Sequence, residues 1–451
     1  MTSGGLRVIE GAAIAPVAGP EIGSGHIVLE GDRIRLVGEG PAPEAAYLER
    51  IDGSGCLATP GLINTHHHLY QWATQGLHQD ATLFEWLTGL YPIWAGMDAG
   101  IVHGAATASL AWLAKSGCTT TADHHYLFPV GRGDMVEAGV RAATRVGLRF
   151  HFSRGSMDCG ASSGGLPPDD VTEGRDEIIA ATEEVIDRYH DPAESSMLRV
   201  AVGPCSPFSA SRELMAESAA LARRHGVRLH THAAETVDEE LLCRRRYGRT
   251  PVEYLSELGW LADDVWLAHC VHLSDADLRR IACAGTAVAH CPTSNGRLGV
   301  GIARVSELTQ LGCPVGIGVD GAASSELTPL VGELRAAMLL QRVVHGPGAL
   351  TARQALEIGT LGGARCLGRE AEIGTLEPGK LADIALWRLD GFRAAIEDPV
   401  YALVCGPPPP LALLLVGGSV VVANDELRTI GEDAAARAGR DAHRRLLEAV
   451  T

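Results

Sequence analysis

The sequence predicts an α/β fold: a (β/α)8 TIM barrel joined to a small β-sandwich domain built from both chain ends. Three observations predict it. Between residues 59 and 370, short β-branched or apolar runs alternate with longer helix-like segments. The runs number eight, as a closed parallel barrel requires. Both ends of the chain have a different texture, of short strands and tight turns without helical periodicity.

Residues 1–58 read as the first part of the β-sandwich, with the runs "RVIEG", "GHIVLEGDRIRLVGEG" and "RIDGSG" and a hairpin turn at Gly31-Asp32. Residues 59–370 read as the barrel. Its strands are expected in "LATPGLINTHHH", "CTTTADHHYL", "GLRFHFSRGS", "LRVAVGPCSPF", "VRLHTHAAE", "VWLAHCV", "TAVAHCPTS" and "PVGIGVDGAAS". Segments such as "SRELMAESAALARRHG" and "DADLRRIACAG" between them carry helix formers. Residues 371–430 return to strand texture in "IGTLEPGKLADIALWRLD" and "LALLLVGGSVVVAND" and are expected to pair with the first part, since chain ends often lie close together. Residues 431–451 read as a C-terminal helix.

Active sites of such barrels lie at the C-terminal ends of the strands. Strand one is expected to close with His66 and His68, two apart and therefore on one side, with His67 turned away. Strand five closes with His232, strand six with His269 and strand eight with Asp320. Imidazoles and one carboxylate suit a borderline divalent ion such as zinc. The expected ligands are His66, His68, His232 and Asp320, with water in the open position. The chain has two lysines, Lys115 and Lys380, neither near a strand end, so the bridging carbamylated lysine of paired-metal sites is not expected and one metal is. Glu235, three residues after His232, stands in the loop above the site and is placed to move protons. A divalent ion brings the pKa of bound water to about 7, and His269 is then free to hold the hydroxide or polarise the substrate. His124, His125, His151 and His290 read as supporting or core residues.

Composition narrows the partners. The net charge of −17 disfavours a nucleic-acid polymer, and no apolar run reaches the ~18–20 residues that span a bilayer. The first residues lack the pattern of a signal peptide, and eleven scattered cysteines without CxxC spacing fit reduced thiols such as Cys270 and Cys291 packed as small apolar groups. A cytoplasmic protein is expected. Two motifs compete and fail. "GIGVDG" at 316–321 fits GxGxxG but lacks the acidic residue about 20 positions on. "GASSG" at 160–164 fits GxSxG but is followed by "LPPDD" rather than a helix. Neither HExxH nor the HxE…PCxxC pattern of small zinc deaminases occurs.

The stretches "PGLINTHHH", "HTHAAE", "LAHC", "GVDG" and "IGTLEPGKLADIALW" together resemble the amidohydrolase superfamily, in its cytosine deaminase and chlorohydrolase-like branch. The resemblance covers nearly the whole chain. It implies one zinc or iron and hydrolysis of a carbon–nitrogen bond of a heterocycle. Within that branch, "NTHHHLYQ", "LFEWLTGLYPIWAG", "SRGSM", "GGLPPDD" and "LTARQALEIGTLGGAR" are similar to deaminases that convert 8-oxoguanine to urate, whose relatives accept isocytosine-like rings, and also to s-triazine hydrolases that release chloride or alkylamines. Some of the latter lack the strand-eight aspartate, present here as Asp320, which favours a deaminase. Nucleoside deaminases of the branch tend to carry histidine where this chain has Cys205, which favours a free base. By position, the resemblance implies Gln71, Trp86, Arg154 and Cys205 as substrate contacts, with catalytic roles for Glu235, His269 and Asp320. A homo-oligomer is expected by the same likeness.

Overall fold

The computed structural model describes residues 5–450. Eight parallel strands, Leu62–Asn64, Cys118–His125, Arg149–Ser156, Leu198–Pro204, Arg228–Ala233, Val265–His269, Ala287–His290 and Val315–Ile317, close into a barrel in that order, called here barrel strands one to eight. All eight runs singled out in the sequence supply one barrel strand each. Helices alternate with them and begin and end on the expected signals. Helix Arg212–His225 is capped by Ser211 and stopped by Gly226 at φ 65°, a left-handed position that glycine takes without strain. Helix Asp275–Cys283 starts at a capping box of Ser274 and Asp277.

Closure between strands eight and one is short, with Ile317 opposite Asn64. Side chains extend it. Thr65 gives both its backbone N–H and its hydroxyl to the Ile317 carbonyl (2.8 and 2.9 Å), and Val319 N–H donates to Asn64 Oδ1 (3.0 Å). Just beyond, Asp320 N–H donates to the His66 carbonyl (3.1 Å), so two of the expected metal ligands are tied backbone to backbone.

The two chain ends build one hydrogen-bonded sheet of nine strands. Strand Cys56–Pro60 is its seam: it runs parallel to Leu6–Ile14 on one side and antiparallel to Ile384–Arg388 on the other. Ile9, Ile27 and Leu29 from the first part share an apolar cluster with Ile384, Leu413 and Leu415 from the second, so the sheet folds over a core of its own. The Gly31-Asp32 hairpin joins strands Ile22–Glu30 and Arg33–Glu39, with Gly31 at φ 63°. The helix at the far end, Glu432–Ala449, packs on helix Ala99–Lys115 and on the turn Leu69–Thr74.

One detail differs from expectation. "LATPGLINTHHH" is not a single barrel strand that runs from residue 59 to the histidines. It breaks at Gly61: Cys56–Pro60 belongs to the sheet, Leu62–Asn64 to the barrel, and His66 and His68 lie past the strand end. The break follows from packing. A Cβ on Gly61 would stand 2.1–2.7 Å from the Thr119 side chain, so only glycine fits the crossing.

Barrel and sheet are also riveted by a buried ion pair. Arg149, at the start of strand three, donates Nε to Asp383 Oδ2 (2.7 Å) and Nη2 to Oδ1 (3.0 Å), and Asp383 Oδ1 accepts the Gly417 N–H (2.6 Å). Removing one partner of such a pair strands the other charge in a dry site, at a cost of about 3–5 kcal/mol. Asp383→Ala is therefore expected to lower the unfolding free energy from urea titration by an amount in that range. Loss of less than about 1 kcal/mol in urea unfolding would show that water reaches Arg149.

Candidate active site and metal centre

At the C-terminal mouth of the barrel, four side chains converge. His68 Nε2 lies 3.1 Å from His232 Nε2 and 3.2 Å from Asp320 Oδ1, and His66 Nε2 lies 3.3 Å from the same carboxylate oxygen. His269 Nε2 is 4.0 Å from Asp320 Oδ2 and 3.7 Å from Glu235 Oε1. All six side chains are buried, Asp320 at 5% exposure and Glu235 at 4%.

The outward nitrogens of the rings decide what the inward ones carry. His68 Nδ1 donates to the His124 carbonyl (2.7 Å) and His232 Nδ1 to the Cys205 carbonyl (2.6 Å). His230 Nδ1 donates to the Trp266 carbonyl (2.8 Å), so its Nε2 accepts from His66 Nδ1 (2.7 Å). A neutral imidazole has one N–H, so Nε2 of His66, His68 and His232 is in each case a bare lone pair. His66 Nε2 is fully buried with no hydrogen-bond partner. Burial above all pushes His66 and His232 well below their ordinary pKa, keeping them in the neutral form that ligates a cation. His66, His68 and Asp320 bring two lone pairs and a carboxylate oxygen within 4.8 Å of one another, and His232 Nε2 stands 3.1 Å from His68 Nε2; such groups repel unless a cation sits among them. The donor set, nitrogens plus one carboxylate oxygen, matches a borderline divalent ion.

The backbone that presents these groups is itself unusual. Ala234, His269 and Asp320 adopt φ of 50°, 70° and 62°, left-handed positions that non-glycine residues take at a cost and that cluster at functional sites. At Ala234 a buried carboxylate holds the turn: Glu239 accepts the N–H groups of Ala234 and Glu235 (2.9 and 2.8 Å), so Glu235 is aimed from behind. Asp320 Oδ2 accepts from Ser294 Oγ (2.6 Å) and Ser324 Oγ (3.1 Å), and His269 Nδ1 donates to Asn295 Oδ1 (2.9 Å). Burial, then the charges of Asp320 and Glu239, push the Glu235 carboxyl well above its usual value.

A cleft of about 370 Å3 opens onto these groups. Gln71, Trp86 and Cys205 line it, as do Tyr91, Tyr126 and Phe208. Gln71 Oε1 and Trp86 Nε1 are buried without partners. A Cβ on Gly321 would lie 1.7 Å from Gln71 Oε1, so this glycine is what gives the amide its place. Burial pushes the Cys205 thiol up to about 12, so it stays neutral.

Arg154 does not line the cleft. Its guanidinium is taken by Glu173 in a two-point ion pair (2.7 and 2.8 Å) and lies over the Phe128 ring, 3.9 Å from its centre. The sequence places it on strand three but does not show that Glu173, 19 residues on, returns to claim it. His67 turns away, its Nε2 on Ser109 Oγ (2.8 Å). Among the histidines left as supporting or core, His124 lies against His232, with ring centres 4.9 Å apart, whereas His125 bonds the Leu127 carbonyl and His290 is core. His230, Ser294, Asn295 and Tyr126 were not singled out from the sequence. Three sit in runs that were, His230 in "HTHAAE", Tyr126 after the paired histidines of strand two and Ser294 at the end of "TAVAHCPTS", and Asn295 is the next residue.

Residues 57–421 match the model of the amidohydrolase family, and the chain belongs to that family. It is 42% identical over 395 residues to 8-oxoguanine deaminase of Pseudomonas aeruginosa, covering 87% of this chain and 88% of that protein. It is 37% identical over 431 residues to an isoxanthopterin deaminase from an unknown prokaryotic organism, 90% and 88% covered. Atrazine chlorohydrolase from Arthrobacter aurescens, a crystal structure complexed with zinc, superposes with a TM-score of 0.93 at 34% identity over 97% of this chain and 100% of that one. With this family and these relatives, the protein is a hydrolase acting on carbon–nitrogen bonds. No helix among the described residues is long and apolar enough to cross a membrane.

The concentration of buried titratable groups predicts the pH dependence of folding. Eight buried histidines, His66, His67, His124, His125, His151, His230, His232 and His290, are held below their ordinary value chiefly by burial, His67, His125 and His290 at about 3. Each binds its proton less readily folded than unfolded, so its contribution falls as pH drops below about 6.5. Four buried carboxyls oppose this: burial raises Asp123 to about 7 and Glu333 to about 8, and raises Glu235 and Glu239. Their contribution is full below about 4 and is lost as pH rises through the folded values. The histidines outnumber them, so the metal-free protein is expected to lose stability from pH 7 to pH 4.5 in urea titrations. A midpoint that is flat or rising across that interval contradicts the neutral-imidazole assignment.

Proposed function

We propose that the protein is a mononuclear metal-dependent aminohydrolase that removes an amino group from a purine-like or pyrimidine-like free base, with 8-oxoguanine as the best candidate. The observation that carries this is the position of Glu235: a buried carboxyl at the cleft wall, 3.7 Å from His269 and beside the four-donor cluster. The 42% identical relative named 8-oxoguanine deaminase supports the choice of ring.

His66, His68, His232 and Asp320 would hold the ion, for which zinc is the first candidate and iron the second. When bound, the ion supplies Lewis-acid activation of water at neutral pH. The chain's own groups do the rest. Glu235 takes a proton at its carboxylate from the attacking water and returns it to the departing amino group. His269, its tautomer set by Asn295, faces the same space with Nε2 and steadies the oxygen that adds to the ring carbon. Ser294 and Ser324 keep Asp320 oriented. Gln71 Oε1 offers an acceptor and Trp86 Nε1 a donor to the ring edge, while Leu83, Leu87 and Phe208 keep bulk water out.

A second reading, an s-triazine hydrolase with chloride or an amine as leaving group, is favoured by the TM-score of 0.93 to atrazine chlorohydrolase. The retained Asp320 and the neutral Cys205 weigh toward deamination of a free base. Ammonia release assayed over 8-oxoguanine, isocytosine, aminopurines and amino- and chloro-triazines separates the two. Turnover of an aminopurine with ammonia as product is expected, and chloride or alkylamine release alone overturns the proposal. Glu235→Gln should keep its metal by elemental analysis and lose about 10²–10⁴ in turnover. Full activity in that variant removes Glu235 from the mechanism.

A further inference from the structure

The opposite end of the barrel holds a second concentration of polar groups that the reaction does not use. His151 on strand three and Arg199 at the start of strand four are direct register partners, and Arg228 opens strand five next to them. These three line a solvent-open pocket at the barrel floor, with His190 at its side and Leu367 and Gly368 below. His151 is 3% exposed and neither ring nitrogen has a hydrogen-bond partner. Nε of Arg199 and Nε of Arg228 are likewise buried and unpartnered. Four orphaned polar atoms in one pocket form a set of donors and one acceptor with nothing to meet, which folded proteins avoid.

The neighbouring charges do not satisfy them. Arg199 Nη2 is on Glu372 (2.5 Å), an acid that also serves Arg369 (2.6 Å), and Asp264 is taken by Arg223 (2.9 and 3.1 Å). Arg228 reaches only the Asp263 carbonyl (2.8 Å), and among the described residues it forms no ion pair; Glu370, Asp264 and Asp263 act on it only from a distance. Burial, followed by Arg199, Arg369 and Arg228, keeps His151 neutral, so it presents one N–H. The pocket is separate from the catalytic cleft: the Trp266 ring, 5.4 Å from His151, stacks at 4.4 Å on His230, which lies on the far side and bonds His66.

We propose that this floor pocket is a binding site for a small oxyanion, phosphate in size and charge, held by Arg199 and Arg228 with the N–H of His151. Guanidinium N–H groups match the oxygens of such an anion in pairs, and a buried site strengthens the attraction. The source is either free inorganic phosphate or the phosphate group of a small monoester; both present the same terminal oxygens.

The test is calorimetric titration of the metal-loaded full chain with inorganic phosphate and, separately, glycerol phosphate, at constant ionic strength in chloride. One saturable site is expected that Arg228→Met weakens at least tenfold, Arg228→Lys by less, and Glu235→Gln not at all. A preference for one titrant names the source. Crystals grown with selenate should show its anomalous signal between Arg199, Arg228 and His151. Binding that is absent, non-saturable or indifferent to Arg228→Met overturns the proposal, as does selenate found only at the metal centre, or only water at the floor. Should Arg228→Met fail to fold, Arg228→Lys and the selenate position still decide.

Discussion

Lone pairs aimed at one another across about 3 Å are the constraint on which the rest of this structure depends. Among the described residues, no cationic side chain neutralises the meeting of His66, His68, His232 and Asp320. Everything around them enforces it: carbonyls of His124 and Cys205 and the ring of His230 take the outer N–H groups, fixing each inner nitrogen as a donor of electrons. Such outer partners set ligand orientation and basicity in metal sites. Left-handed backbone at Ala234, His269 and Asp320 adds a cost of order 1–3 kcal/mol per residue. A barrel with eight strands locked in register can bear that cost where a lone loop cannot.

Much of this was legible in the sequence. The eight strands could be read because each is a short apolar run ended by a polar group at the same end, and the rule that barrel sites gather at strand ends then selects His66, His68, His232, His269 and Asp320. The tautomers were not legible, because they depend on carbonyls such as those of Cys205 and Trp266 that reach the rings only in three dimensions. Arg154 misleads for the same reason: its residue type and strand suit a ligand contact, and only folding brings Glu173 to it. The break at Gly61 is hidden because an unbroken apolar run reads alike whether it serves one sheet or two.

The barrel interior is layered. Polar groups crowd both ends, and the middle is held by Trp266, whose ring lies between His230 above and His151 below. Its indole N–H donates to the Thr65 carbonyl (3.0 Å), one residue before His66. The apolar layer thus fixes the height of the segment that bears His66 and His68 while separating the mouth from the floor.

The helix Glu432–Ala449 gives the mouth its outer brace. Its His443 bonds the carbonyl of Ala73 (2.8 Å), and its Gly439 leaves the room that Trp72 occupies, in the very turn that bears Gln71. The brace lies 370 residues downstream of the turn it supports. During synthesis His66 and His68 therefore emerge long before this buttress, and the turn that bears Gln71 gains its final packing only when this late segment docks.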